Sequence, residues 1–149
     1  MSYDEKFMKK AISLAKKAYA LDEVPVGAVI VKDGIILSSA YNKRENSNNA
    51  IAHAEILAIS KACKKLGDFR LIGCEMYVTL EPCVMCTGAI LNSRIENVYF
   101  GAHITNGSIS SEELTSRAEL NHKTNVQGGF FEEECSGLVT DYFKQKRKN

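Results

Sequence analysis

Apolar positions in the first twenty residues recur with helical spacing. Phe7, Met8, Ala11, Ile12, Ala15, Ala18 and Tyr19 share one face, and Asp4 stands where an N-cap belongs. At Pro25 and Gly27 the period changes. Val26–Val31 is an apolar, β-branched run, Lys32-Asp33-Gly34 reads as a hairpin turn, and Ile35–Tyr41 as the returning strand. The polar stretch from Asn42 to Asn49 predicts a loop. A second helix is expected from about His53 to Leu66, with Gly67 to end it. Met76–Leu80 predicts a short buried strand. Pro82 suits the first turn of a third helix that carries Met85, Ala89, Ile90 and Leu91. Val98–Gly101 predicts a further strand, and residues 102–125 show no clear period. A final helix from about Glu132 to Lys146 has an apolar face of Cys135, Leu138, Val139 and Phe143.

Strands alternating with helices predict an α/β layer structure with helices on both faces of one sheet, and the early hairpin makes that sheet mixed. The pattern leaves the strand order open. No linker, repeat or low-complexity tract divides the chain, so residues 1–149 are expected to form one domain. Hydrophobic residues at 45% and charged residues at 25% are ordinary for a globular core. No apolar run reaches the roughly 20 residues that a membrane span needs. Met1 to Lys10 mixes acids and bases, so no secretory signal is expected. A net charge of +1 excludes a strongly basic nucleic-acid-coating protein but leaves room for a local basic patch. Five cysteines, an odd number without a signal peptide, argue for reduced thiols over a disulfide framework.

Two segments carry candidate chemistry: Ala52-His53-Ala54-Glu55 and Glu81-Pro82-Cys83-Val84-Met85-Cys86. Two cysteines three apart in the first turn of a helix project to one side and can grip one metal ion. The helix N-terminus and a Zn²⁺ ion would both favour their thiolates. With His53 they make three protein ligands, which leaves a fourth tetrahedral position for water, the arrangement of a catalytic zinc. Glu55 is placed to move protons without ligating the metal. Spacing alone leaves other readings open. A structural zinc could recruit a fourth ligand from Cys63, Cys74, Cys135, His103 or His122, and a redox or metal-free thiol pair would also fit.

His-x-Glu followed by Pro-Cys-x-x-Cys is the signature of the zinc nucleobase deaminases. Several further segments resemble the bacterial tRNA-specific adenosine deaminases. They are Glu23-Val24-Pro25-Val26-Gly27-Ala28-Val29, Tyr77-Val78-Thr79-Leu80, Ser93-Arg94-Ile95, Phe100-Gly101-Ala102, Asn121-His122 and the closing Tyr142-Phe143-x-x-x-Arg147. The resemblance runs in register along nearly the whole chain. It implies a three-layer α/β/α cytidine deaminase-like fold with a central mixed five-stranded sheet. It also implies hydrolytic conversion of adenosine to inosine at the wobble position of a tRNA anticodon, in the cytoplasm, by a homodimer with one Zn²⁺ per subunit. Matched position by position, His53, Cys83 and Cys86 fall on the zinc ligands and Glu55 on the proton shuttle. There a zinc-activated water attacks C6 of the base. Asn42 falls on the asparagine that binds the target nucleoside. The backbone N–H groups of Ala54 and Cys83, at two helix N-termini, are candidates to hold the base and the developing charge.

Arg44, Arg70 and Asn121 match positions that touch the anticodon loop, and the tail Lys144-Gln145-Lys146-Arg147-Lys148 resembles the family's basic final helix. Each could equally be a solvated surface group. Neither a membrane nor DNA is an expected partner. One departure from the family pattern follows Phe100-Gly101-Ala102, where His103-Ile104-Thr105-Asn106-Gly107-Ser108 places Asn106 at the position of the family's lysine. The polar segment Ile109 to Leu120 departs as well, which puts the loop's path over the pocket in question. Two rival functions remain: deamination of a free nucleobase or nucleoside (guanine, cytosine, cytidine), and a non-enzymatic zinc-stabilised RNA-binding module.

Overall fold

A computed structural model describes residues 2–104, 109–117, 120 and 122–148. The elements run α1 (Glu5–Ala20), β1 (Gly27–Lys32), β2 (Ile35–Tyr41), α2 (Ala54–Leu66), β3 (Cys74–Leu80), α3 (Val84–Asn92), β4 (Asn97–Ala102), α4 (Ser111–Thr115), β5 (Asn125–Gln127) and α5 (Glu132–Lys148). They build a mixed five-stranded sheet of order β2-β1-β3-β4-β5. β1 runs antiparallel to both β2 and β3, whereas β3, β4 and β5 are mutually parallel.

The two sheet faces carry two cores. On one, Phe7, Met8, Ala11 and Ile12 of α1 and Cys135 of α5 pack against Val29, Val31, Tyr77 and Tyr99. On the other, Ala54, Ala58 and Ala62 of α2 and Ile90 of α3 pack against Ala28, Ile30, Met76, Val78 and Phe100. Alternate strand residues thus feed opposite layers, as the period-2 geometry of a strand requires. This is the three-layer α/β/α arrangement implied by the resemblance.

Local signals act where they were read. The Asp4 side chain accepts from the Lys6 N–H at 3.0 Å and caps α1. Asp33 and Gly34 take φ of 51° and 74°, the pair of positive values that a two-residue hairpin turn of the I′ type demands. Gly67 closes α2 at φ 72°.

Three expectations need correction. Pro82 stays outside α3; Cys83 is the N-cap, and its carbonyl accepts the first helical bond from the Thr87 N–H at 2.8 Å. Phe143 is 44% exposed, and it is Tyr142 that turns inward, donating from its hydroxyl to the Asp22 carbonyl. Residues 102–125, which showed no clear period, contain α4 and the first residue of β5. The helix has five residues and the strand only three, Asn-Val-Gln with Val126 half-buried, so neither is long enough to show a period.

α1 lies very close to β1. A Cβ on Gly27 would collide with the Ala11 carbonyl and approach the Ala15 nitrogen and Leu14 Cβ, each at 2.8 Å. These are mostly backbone atoms of a helix, which cannot rotate away. Gly27→Ala is therefore expected to push α1 off the sheet and cost about 1–3 kcal/mol or more. A denaturant titration checks this; a midpoint equal to wild type would contradict the packing.

Candidate active site

Because β1 is antiparallel to both neighbours, β2, β3 and β4 all end on the same edge of the sheet. In open α/β sheets ligands bind outside the carboxyl ends of strands. Here the chain leaves β2 through residues 42–53 to start α2, and leaves β3 through Glu81-Pro82-Cys83 to start α3. Two helix N-termini, each with partial positive charge, therefore open at that edge.

His53 is the N-cap of α2 and Cys83 the N-cap of α3, while Glu55 and Cys86 sit in the first turns. His53 Nδ1 lies 3.7 Å from Cys83 Sγ and 3.5 Å from Cys86 Sγ. The three ligand atoms all fall within 4.8 Å of one another, and they are the only such metal-capable grouping among the described residues. Zinc bonds of about 2.3 Å to sulfur and about 2.0–2.1 Å to nitrogen, at tetrahedral angles, place S and N donors about 3.6 Å apart. The observed separations match that spacing, so the residues fit a zinc ion.

The donor set is also tuned for a cation. Cys83 is lowered to about 4, first by its bond with Cys86 and then by that with His53, both against the cost of burial. Cys86 is raised, first because it donates to Cys83 and then by burial. His53 is raised mainly by its bond to Cys83. Glu55, only 4% exposed, is raised to about 7 chiefly by burial; the Cys83 charge adds to this, and bonds from its own N–H and from Cys86 oppose it. A carboxyl poised near neutrality beside a three-donor cluster can both take and give a proton.

A cavity of about 530 Å³ opens over the cluster. Asn42, Arg44, His53, Glu55 and Cys83 line it, and Cys86 is fully buried beside them. Asn42 is 7% exposed, and its side-chain amide takes no partner among the described residues. Ala54 is buried as the first residue of α2. Arg70 lies elsewhere, on the loop after α2, paired with Asp68 at 3.2 Å and stacked over Phe69. Asn121 and Asn106 fall outside the described residues. In the basic tail, Lys146 is paired with Asp22 at 2.8 Å.

The other cysteines and histidines weighed as a fourth ligand are engaged or placed elsewhere. Cys63 donates to the Phe69 carbonyl, His122 Nε2 meets the Ile95 carbonyl, and Cys135 packs from α5 into the core on the other face of the sheet. His103 bonds Glu132, and Cys74 is buried at the start of β3.

Several residues that build the site have no conspicuous sequence signal. Glu23, 1% exposed, accepts from the Glu45 and Asn46 N–H groups and from the Asn46 amide, which ties down the loop carrying Asn42 and Arg44. Glu81 lines the cavity and accepts from the Ile104 N–H and from the N–H and hydroxyl of Ser111, anchoring the chain beyond β4. His103, Glu132 and Phe143 also line the cavity. Glu23 and Glu81 fall in segments that resemble the family, His103 was a candidate metal ligand and Phe143 part of the closing segment, but none of these signals showed the role that the structure gives it.

Purified protein is expected to hold about one zinc per chain. Cys86→Ala removes a buried donor and should lose the metal, read by elemental analysis. A variant that kept full zinc would place the ion elsewhere.

The family model for the cytidine and deoxycytidylate deaminase zinc-binding region matches residues 1–102. The tRNA-specific adenosine deaminase of Bacillus subtilis is 48% identical over 150 residues, covering 99% of this chain and 93% of the relative. That of Aquifex aeolicus is 45% identical, covering 97% of each chain. A structure solved in work on A-to-I editing by tRNA A34 deaminases at the wobble position of transfer RNA superposes with a TM-score of 0.85. It is 39% identical and covers 91% of this chain and 99% of its own. With the three-donor cluster and the mixed sheet in place, the chain belongs to the zinc-dependent cytidine and deoxycytidylate deaminase family, alongside the tRNA-specific adenosine deaminases.

Proposed function

We propose that the chain is a hydrolytic deaminase that converts adenosine to inosine at the wobble position of a tRNA anticodon, acting in the cytoplasm on the anticodon stem-loop. One observation carries the reading. Glu55 is buried beside the His53, Cys83 and Cys86 donors at a cavity of about 530 Å³, whose wall also carries Asn42. Such a volume lies within the usual range for a small-ligand site.

His53, Cys83 and Cys86 hold the zinc, which supplies the Lewis acidity that makes a water molecule nucleophilic near neutral pH. Glu55 takes the proton from the attacking water and delivers it to N1 of the adenine. It then takes the second proton from the oxygen added at C6 and passes it to the amine, so ammonia leaves, the C6 carbonyl forms, and one carboxyl serves as base and acid. Asn42 orients the nucleoside. The N–H groups of Ala54 and Cys83, at two positive helix ends, receive charge that develops on the base. Arg44 at the cavity rim, Arg70 and the basic end of α5 supply phosphate contacts farther out. Two copies of the chain associate, and the exposed Ile51, Phe69, Ile72 and Val84 around α2 and the start of α3 are the apolar side chains such an interface would cover.

An anticodon stem-loop carrying A at the wobble position should be deaminated far faster than free adenosine, because loop contacts supply binding energy that a lone nucleoside lacks. Base analysis after incubation checks this. Efficient turnover of free guanine or cytidine, with the stem-loop untouched, would favour the small-substrate reading instead. Glu55→Ala should lower the rate by about 10²–10⁴-fold or more while zinc stays bound. Retention of a tenth of the wild-type rate would remove Glu55 from proton transfer. Asn42→Ala should cost about 1–3 kcal/mol in kcat/KM through the unpaired substrate group it leaves. An unchanged kcat/KM would make Asn42 a residue of the loop alone.

A further inference from the structure

His103 is the first residue beyond β4 and lines the cavity. Asn42 lines it from the end of β2. β2 and β4 are three strand spacings apart in the sheet, about 14 Å, so the two residues flank the mouth from opposite sides. The imidazole is held in place. Its Nδ1 lies 2.7 Å from Glu132 Oε1, the His103 backbone N–H donates to Glu132 Oε2 at 2.8 Å, and the ring meets Phe100 edge-on with centroids 4.9 Å apart.

Glu132 stands in the first turn of α5, where the helix end favours a negative charge. Burial opposes that charge, but the two bonds from His103 prevail and hold the carboxyl below its ordinary range. An ionised carboxylate can only accept, so Nδ1 carries a proton. In the neutral ring Nε2 is then a lone-pair acceptor, and it has no partner among the described residues. The side chain is 48% exposed, so this acceptor is open to a ligand that brings a hydrogen-bond donor.

We propose that His103 Nε2 accepts a hydrogen bond from the nucleotide held at the cavity mouth, which makes His103 a specificity-determining residue and Glu132 the positioning residue behind it. This deepens the deaminase reading above and rests on it. RNA offers three kinds of donor there, a ribose 2′-hydroxyl, a base amino group and a base ring N–H. Phosphate offers none, so this contact reads sugar or base and adds nothing to the salt dependence set by the arginines and lysines.

The test uses the zinc-loaded full chain, as wild type, His103→Phe and Glu132→Gln, on an anticodon stem-loop above neutral pH. His103→Phe should raise KM about five- to tenfold, with kcat within about twofold, zinc unchanged and the salt slope unchanged. Glu132→Gln should raise KM less, because its amide can also donate to Nδ1 and so release the ring's tautomer. Stem-loops with single 2′-deoxy substitutions, and others lacking a single base amino or ring N–H donor, then locate the donor. One of them should cost wild type the same factor and cost His103→Phe nothing. A deoxy substrate in that role assigns the ribose, and a base lacking its amino or ring N–H donor assigns the base. Equal KM for wild type and His103→Phe overturns the proposal. So does a loss that adds to every substrate change, or one that follows salt. Wild type inert on the stem-loop overturns the deaminase reading itself, a result distinct from an active wild type with an indifferent variant.

Discussion

Everything at this site depends on two helix N-termini meeting at one edge of the sheet. Their cap residues, His53 and Cys83, must bring Nδ1 and Sγ to within 3.7 Å although 30 residues separate them in the chain. Strand direction meets half of that demand, since an antiparallel β1 between β2 and β3 sends both neighbours toward the same edge. Small side chains meet the rest. α2 faces the sheet with Ala54, Ala58 and Ala62, so its axis lies close to the strands and its first turn stays level with that of α3. On the other face Ala11 and Ala15 of α1 close onto Gly27 at the start of β1, and the Gly27 N–H donates to Thr79 Oγ1 of β3. The edge that carries the site is thus tied across β1 and β3.

Three buried carboxyls at this edge show how environment divides roles among like side chains. Glu23 and Glu81 each accept three hydrogen bonds and serve as staples, one for the loop after β2 and one for the chain after β4. A buried carboxylate so fully partnered recovers much of what burial costs it. Glu55 is buried with fewer bonds and next to the Cys83 charge, so its acid range moves up toward neutrality. The two staples set geometry, while Glu55 is left free to exchange a proton.

The donors and the proton carrier were legible because their chemistry demands particular residue types at short range: His53 with Glu55, Cys83 with Cys86. Element types in the first hundred residues were legible too, from long apolar periods and from turn residues such as Asp33, Gly34 and Gly67. What escaped reading is set by tertiary contact. β5 exists because Val126 finds register beside Val98, not because Asn-Val-Gln prefers extended backbone. Phe143 fits an apolar helix face by spacing, yet it lines the cavity while Tyr142 takes the buried position. The His103–Glu132 pair joins residues 29 apart across two elements, a separation at which no local pattern speaks.

Activity at this site requires a three-donor metal centre with its fourth position open to the reaction. Cobalt exchanged for the native metal reports on that position directly, because its visible absorption depends on coordination number and ligand type. The spectrum should be that of a tetrahedral ion with thiolate charge-transfer bands, and a purine-nucleoside analogue that enters the cavity should shift it. A tetrahedral spectrum that stays the same while the analogue binds would mean that four protein ligands close the site, and the centre would then be structural.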